Sequence, residues 1–240
     1  MGWSSEVLKN CLSVCLCLSL GLSLHVYLSV CLFNCVYVYL SHVCTLLSGC
    51  AANQLDVVFI VDVSGSLEGE GYYVHKDFTK SVVDELNFSF DKTHVALVTF
   101  ATLPMVGFYL NKYVGSTAQA DIKNAIVIDN VYDGTNIALA LDKVANDVLT
   151  PGNGMRSSAQ QICILLSDGK ATLDTGRTVS AATTLQSSCK IFAISVQPDP
   201  QQDVMDQIAS QPTDDYTAAV PTRYNITDAV NKIVTNICNM

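Results

Sequence analysis

Two aspartates and three hydroxyl residues, spread over three short segments, carry the chemistry most readily read from this chain. Asp62-Val63-Ser64-Gly65-Ser66 directly follows a short apolar run. Asp133-Gly134-Thr135-Asn136 directly precedes a helical stretch. Ser167-Asp168-Gly169 ends a second apolar run. Together Asp62, Ser64, Ser66, Thr135 and Asp168 form an all-oxygen set, suited to hard cations such as Mg²⁺, Mn²⁺ or Ca²⁺. The set lacks the thiolate or imidazole that zinc prefers. A dication held mainly by neutral hydroxyls keeps positive charge and attracts an external carboxylate, so the set is built to bind through metal. Gly65, Gly134 and Gly169 are expected to let the backbone turn sharply beside the ion. Taken singly, each residue has a plainer reading. Asp62 or Asp168 would be a turn or N-cap residue, Ser64 and Ser66 ordinary loop polars, and Thr135 the cap of a helix beginning at Asn136. The order and combination of all five is what points to metal.

The elements that must position these residues alternate in type. Asp56–Val61 reads as a buried parallel strand, broken by Gly65 and Ser66. From Gly71 to Leu86, Val74, Phe78, Val82 and Leu86 recur at spacing four, which predicts a helix with one apolar face. His94–Phe100 is a second strand and Met105–Leu110 a short third, joined as a hairpin through Ala101–Pro104. Helices are expected over Asp121–Ile128 and Asn136–Leu149, then a strand over Ile162–Leu166. A helix over Thr178–Ser187, a strand over Ile191–Val196 and a short helix over Gln201–Ser210 follow. A strand over Tyr216–Val220 and a helix over Thr227–Asn236 close the chain. Alternating strands and helices indicate βαβ units and a mostly parallel sheet covered on both faces. In such sheets the binding crevice lies at the carboxyl ends of the strands, where strand order reverses. If the strands ending at Asp62 and Asp168 flank that reversal, the three segments converge.

Composition divides the 240 residues in two. From Cys11 to Cys50 there is no Asp, Glu, Lys or Arg, and seven of the ten cysteines lie there, at 11, 15, 17, 31, 35, 44 and 50. Residues 1–50 therefore read as a hydrophobic leader and 51–240 as one α/β domain. The apolar run is longer than a signal core or a single membrane span needs. Its near-repeats, Cys11-Leu12-Ser13-Val14 and Tyr27-Leu28-Ser29-Val30, also fit translated simple-sequence DNA. Signal, anchor and repeat-derived insertion stay open. The formal net charge of −9, with no Lys/Arg cluster, argues against a nucleic-acid partner. No Gly-x-Ser-x-Gly elbow, phosphate loop or Ser/His/Asp order is found, and the domain holds only His75 and His94, so an enzyme is not expected. Asn87-Phe88-Ser89 and Asn225-Ile226-Thr227 are glycosylation sequons. With the apolar leader they favour a secreted or cell-surface protein.

Asp62-x-Ser64-x-Ser66, with Thr135 and Asp168 downstream, resembles the complete metal-ion-dependent adhesion site of the von Willebrand factor A family. The surrounding text resembles it too: DVVFIVDVSGS, HVALVTFA, DGTNIALAL, ILLSDGKAT and KIFAISV, over about Leu55 to Cys238. The resemblance implies a Rossmann-like, doubly wound α/β fold with six strands in the order 3-2-1-4-5-6, strand 3 antiparallel at the edge. It implies that Ser64, Ser66 and Thr135 coordinate Mg²⁺ or Mn²⁺ (Ca²⁺ being a third candidate) and that Asp62 and Asp168 act directly or through water. A Glu or Asp of a protein ligand would complete the shell. Where the family often has Gly before Gly-Thr, this chain has Asp133, which adds negative charge. The family's extracellular members often close the fold with a terminal disulfide, which here implies Cys50–Cys238. Cys163 and Cys189 fit either a second bridge or two buried thiols. The function so implied is an extracellular binding module of adhesion or matrix type, matrilin-like or collagen-associated, with matrix proteins or other domains of the family as partners. A metal-independent assembly module and a metal-dependent intracellular partner subunit are the alternatives.

Overall fold

In a computed structural model of the chain, the structure describes residues 54–65, 71–88, 91–129, 131, 133–196 and 200–240. The leader read at 1–50, with Cys50, and Ser66 of the first loop lie outside the described residues. Six strands form one sheet: β1 (Leu55–Asp62), β2 (Thr93–Phe100), β3 (Pro104–Phe108), β4 (Gln160–Ser167), β5 (Lys190–Val196) and β6 (Thr217–Val220). Their order is β3-β2-β1-β4-β5-β6. All neighbours pair in parallel except β2 with β3, as expected from the family resemblance.

The helices are α1 (Gly71–Glu85), α2 (Ala118–Ala125), α3 (Ile137–Lys143), α4 (Thr178–Gln186), α5 (Gln202–Ile208), α6 (Thr213–Tyr216) and α7 (Ile226–Cys238). From β1 the chain crosses through α1 to β2. It later returns through α2 and α3 to β4, on the other side of β1. Right-handed crossovers running in opposite directions put their helices on opposite faces. Accordingly α1 packs with α7 on one face, and α4 packs with α3 and α5 on the other; α2, although it belongs to the return connection, packs on α1. All eight residues of β1 are buried, as a central strand covered on both faces must be. The α1 face that meets it is Val74, Phe78 and Val82, at the spacing read from the sequence.

Most element ends shift by a residue or two from the sequence reading, and three differences have a local cause. α2 starts earlier and ends at Ala125, because Ile126 and Ile128 are buried with Val127 exposed between them. That period of two belongs to extended chain, not to helix. The helix read over Asn136–Leu149 begins at Ile137, and over Val144–Val148 it widens to a π turn, with Leu149 N–H donating to Val144 O. Tyr216 closes the short α6 instead of opening β6. Cys163 and Cys189, left open above, are bonded to each other, Cα atoms 6.1 Å apart, tying β4 to the entry of β5.

At the amino end of the sheet one ion pair organises the exposed turn before β4. Asp56 on β1 is fully buried and accepts from Arg156 Nε at 2.8 Å, Arg156 N–H at 2.7 Å and Gln161 Nε2 at 3.0 Å. The remaining guanidinium nitrogens donate to the carbonyls of Asp91 and Leu55, both at 2.7 Å. Arg156→Ala would strand the Asp56 carboxylate without its cation. A loss of about 3–5 kcal/mol is expected in urea unfolding, and Asp56→Leu/Arg156→Met together should recover much of it.

Candidate functional site

β1 and β4 are the neighbours at which strand order reverses, and they end level with each other. Val61 stands beside Leu166, so the next residues, Asp62 and Ser167, meet at the carboxyl edge. Ser167 Oγ donates to Asp62 Oδ2 at 2.7 Å, and Ser64 N–H donates to Asp62 Oδ1 at 2.9 Å. Both Asp62 oxygens are thereby aimed, with the carboxyl fully buried. Asp168 follows at the same edge, also buried. Its Oδ1 accepts from Lys170 N–H at 2.9 Å. Its Oδ2 is buried and accepts no hydrogen bond from the described residues.

The other loops are stitched to these two strand ends through the backbone. Gly65 N–H donates to Asp133 O at 3.1 Å and Val131 N–H to Val63 O at 2.8 Å, joining the first and second segments. Thr135 O accepts from Thr172 N–H at 2.9 Å and Leu173 N–H at 3.1 Å, and Thr135 N–H donates to Thr172 Oγ1 at 2.8 Å, joining the second and third. Thr135 is not the helix cap. That role belongs to Asn136, whose Oδ1 accepts from Leu139 N–H at 2.9 Å. The three segments therefore converge as the strand reversal required, bringing Asp62, Ser64, Thr135 and Asp168 to one edge.

Of the three loop glycines only Gly169 takes a left-handed conformation, with φ +76°. Gly65 lies in a turn without a left-handed conformation, and Gly134 lies in neither. Gly134 answers a different need, close approach. A Cβ there would meet Thr172 Oγ1 at 3.1 Å and Thr102 Oγ1 at 3.2 Å. At Gly169 a Cβ would meet Gln201 O at 2.8 Å. Asp133 is exposed, its Oδ1 accepting from Gly134 N–H at 2.8 Å.

Burial dominates the electrostatics. It pushes the Asp62 carboxyl up to about 6. Hydrogen bonds from Ser64 and Ser167 work against that shift, and the Asp168 charge adds to it. Beneath the site His75 is fully buried on α1, and burial lowers it to about 4 despite its hydrogen bond to the Asp62 carbonyl. The neutral ring must donate from Nδ1 to that carbonyl, at 2.8 Å. Nε2 is then an acceptor, buried and without a partner among the described residues. His75, Ser167, Thr172 and Gln201 were not assigned to the site from sequence. Ser167 stood inside a recognised segment, but nothing in the spacing of the other three pointed to their roles.

The remaining sequence candidates lie elsewhere. Asn87 is half-buried after α1, with its carbonyl accepting from Thr93 Oγ1 at 2.6 Å. Asn225 is half-buried just before α7, where its Oδ1 accepts from Thr222 Oγ1 at 2.8 Å. Cys238, at the end of α7, is disulfide-bonded, with a partner outside the described residues. Among the described residues no three His, Cys, Asp or Glu side chains gather into a metal cage. A cation at this edge would therefore depend on hydroxyl oxygens beside its two carboxylates.

An open doubly wound sheet with carboxylates and hydroxyls gathered at its switch point defines a class of cation- or ligand-binding α/β domain. The sequence profile of the von Willebrand factor type A domain matches residues 56–232, and the chain belongs to that family. It is similar to the collagen alpha-1(XII) chain of Notophthalmus viridescens, 27% identical over 188 residues, covering 78% of this chain and 20% of that one. It is also similar to matrilin-3 of Mus musculus, 28% identical over 177 residues, covering 72% and 36%. The chain thus spans about a fifth to a third of these relatives' lengths. In fold it resembles proximal thread matrix protein 1 from the mussel byssus, with a TM-score of 0.69 and 23% identity over 78% of this chain and 48% of that one. Another structure of that mussel protein, at a TM-score of 0.68, has a zinc-occupied metal-ion-dependent adhesion site.

The opposed shifts at Asp62 and His75 give a pH signature in metal-free protein. Between about pH 4 and 6.5 the unfolded state binds the extra proton at His75, so that group favours folding more as pH rises. Between about 3.8 and 6 the folded state binds the extra proton at Asp62, so that group favours folding less as pH rises. Urea midpoints in EDTA should therefore change little over pH 4–6 in the wild type. They should fall with rising pH in His75→Gln and rise with pH in Asp62→Asn.

Proposed function

We propose that residues 51–240 form an extracellular protein-binding module that coordinates a divalent cation and holds an acidic side chain of its ligand through it. Ser64, Ser66 and Thr135 are the direct ligands in this reading, with Asp62 and Asp168 acting directly or through water. Mg²⁺ or Mn²⁺ suits the set best, with Ca²⁺ as a third candidate. The observation that carries the reading is the buried Asp168 Oδ2, without a hydrogen-bond donor among the described residues, beside a second buried carboxyl that burial makes reluctant to ionise. Two carboxylates in this state oppose each other and lack compensation. A bound dication supplies it and polarises whatever carboxylate approaches from outside.

This chain's own groups do the rest. Ser167 and the Ser64 amide orient Asp62, Thr172 holds the Thr135 backbone, and neutral His75 fixes the Asp62 carbonyl without adding charge. Leu103 and Leu173 are exposed on the loops flanking Gly134, and Val131 on the loop leading to it. Large exposed apolar side chains beside a binding edge suit contact with a protein. Asp133 adds negative charge to the same edge and so favours a basic residue near the ligand's acidic one.

Matrix assembly or adhesion, binding and not catalysis, and secretion follow the character of the relatives, collagens and matrilins. No helix among the described residues is long and apolar enough to cross a membrane. Within this reading residues 1–50 form a separate leader, Cys50 is the partner of Cys238, and Asn87 and Asn225 carry glycans.

Calorimetric titration of Mn²⁺ and Mg²⁺ into the full chain should give saturable binding, weakened at least tenfold in Asp62→Ala and in Thr135→Ala. A wild-type protein that binds neither ion would favour the metal-independent assembly module. Peptide mapping without reduction should recover Cys50 linked to Cys238; recovery of Cys238 linked to another cysteine would overturn that pairing.

A further inference from the structure

At the amino end of the sheet, away from the cation edge, the close of α1, the segment after it and the start of α2 border an open groove of about 730 Å³. Asp84, Asn87, Phe88, Asp91, Ser116 and Gln119 stand in its wall. That volume lies within the roughly 300–1,000 Å³ of sites that hold small organic molecules. The polar wall groups are within reach of an occupant. The side chains of Asp84 and Asp91 are 49% and 53% exposed, and Ser116 is exposed.

The charges of the wall are already met. Asp84 pairs with Lys123, and Asp91 accepts from His94 Nε2 at 2.8 Å and lies 3.9 Å from Arg156. A cationic occupant is therefore not called for. What remains is acceptor capacity, because a carboxylate has more lone pairs than these partners use. Gln119 donates from Nε2 to the carbonyls of Val83 and Asp84, at 3.1 and 3.2 Å, and keeps Oε1 as an acceptor. The Ser116 hydroxyl can donate as well as accept. Phe88 is half-buried, packs on the core and adds an apolar face to the wall. Acceptors beside an aromatic ring suit a pyranose, whose hydroxyls donate and whose C–H groups lie against the ring's negative face.

We propose that this groove holds the core sugars of an N-linked glycan carried by Asn87 itself. Asn87 opens the sequon Asn87-Phe88-Ser89 and forms part of the wall, so the attached sugar starts at the groove. Tethering raises its local concentration to the millimolar range, so individually weak contacts are enough to seat it. The assignment rests on the reading of Asn87 as glycosylated. It makes that glycan a strap over the joint between α1 and α2 that leaves the cation edge open. Asn225, by contrast, lies after β6 next to Tyr224, which is 95% exposed, and a glycan there extends into solvent.

The test uses the full chain secreted from eukaryotic cells in which mannose trimming is blocked, so that every glycan is of the high-mannose type. Native and denatured protein are treated with an endoglycosidase that cuts between the two core N-acetylglucosamines. Release at each sequon is followed by glycopeptide mass spectrometry. At Asn87 release from native protein should be at least about tenfold slower than from denatured protein, since the cut waits for the sugars to leave the groove. Ser116→Trp, at an exposed turn position where the new ring fills the groove, should bring the native rate at Asn87 up to the denatured one while circular dichroism stays native. Equal native and denatured rates at Asn87 in the wild type overturn the groove assignment alone, as does slow release that Ser116→Trp leaves unrelieved. An unmodified Asn87 defeats the glycan reading, and the groove assignment with it.

Discussion

The site depends on the parallel pairing of β1 with β4. These strands come from distant parts of the chain and meet only because strand order reverses between them. Their register places Asp62 level with Ser167, and the Ser167 hydroxyl bonds the Asp62 carboxyl across the gap. A register slip of one residue would send both side chains to the wrong faces of the sheet. Such slips are opposed by the core itself, since all eight β1 residues are buried and would have to exchange faces together.

Around that junction the protein gathers groups that would be costly in isolation. Two carboxylates, a neutral histidine and several backbone amides share a volume with little water. The structure tolerates this by making each polar atom serve a neighbour. Asp62 orders the turn at Ser64, Thr172 clamps Thr135 from both its amide and its hydroxyl, and Gln201 ties a fourth loop to Asp168. Among the described residues a few buried atoms have no partner, Asp168 Oδ2 and His75 Nε2 being two of them. Loops held at both ends by strands and crosslinked by amides are preorganised, so little ordering remains to be done when a ligand arrives.

The opposite end of the domain serves stability. Arg156 and Asp56 lock the turn before β4 to the start of β1, with every donor of the fork directed at a carbonyl or carboxylate. The Cys163–Cys189 bond ties β4 to β5. The candidate site occupies the carboxyl edge and the stabilising pair the amino end, a division that open α/β sheets permit because their loops on the two sides are independent.

Much of this was legible in the linear chain. Apolar runs of five to seven residues declared β1, β2, β4 and β5, and the spacing of Val74, Phe78 and Val82 declared α1. The five oxygen-bearing residues were visible because each lies next to a regular element and their order matches a family pattern. The errors were local and physical. α2 was placed too late because Ile126 and Ile128 count as apolar in any period. Thr135, taken singly, read as the cap of a helix beginning at Asn136, whereas Asn136 keeps a non-helical backbone and is itself the cap. The roles of His75, Thr172 and Gln201 were hidden, since each acts on a residue outside its own segment and shows no periodicity of its own. Sequence by itself determined the element types, the family and the donor chemistry, because propensity, patterning and side-chain chemistry are local properties. Tertiary structure alone decided which donors converge and which carboxyl oxygen has no partner among the described residues, because burial and hydrogen bonding depend on what the rest of the chain brings alongside.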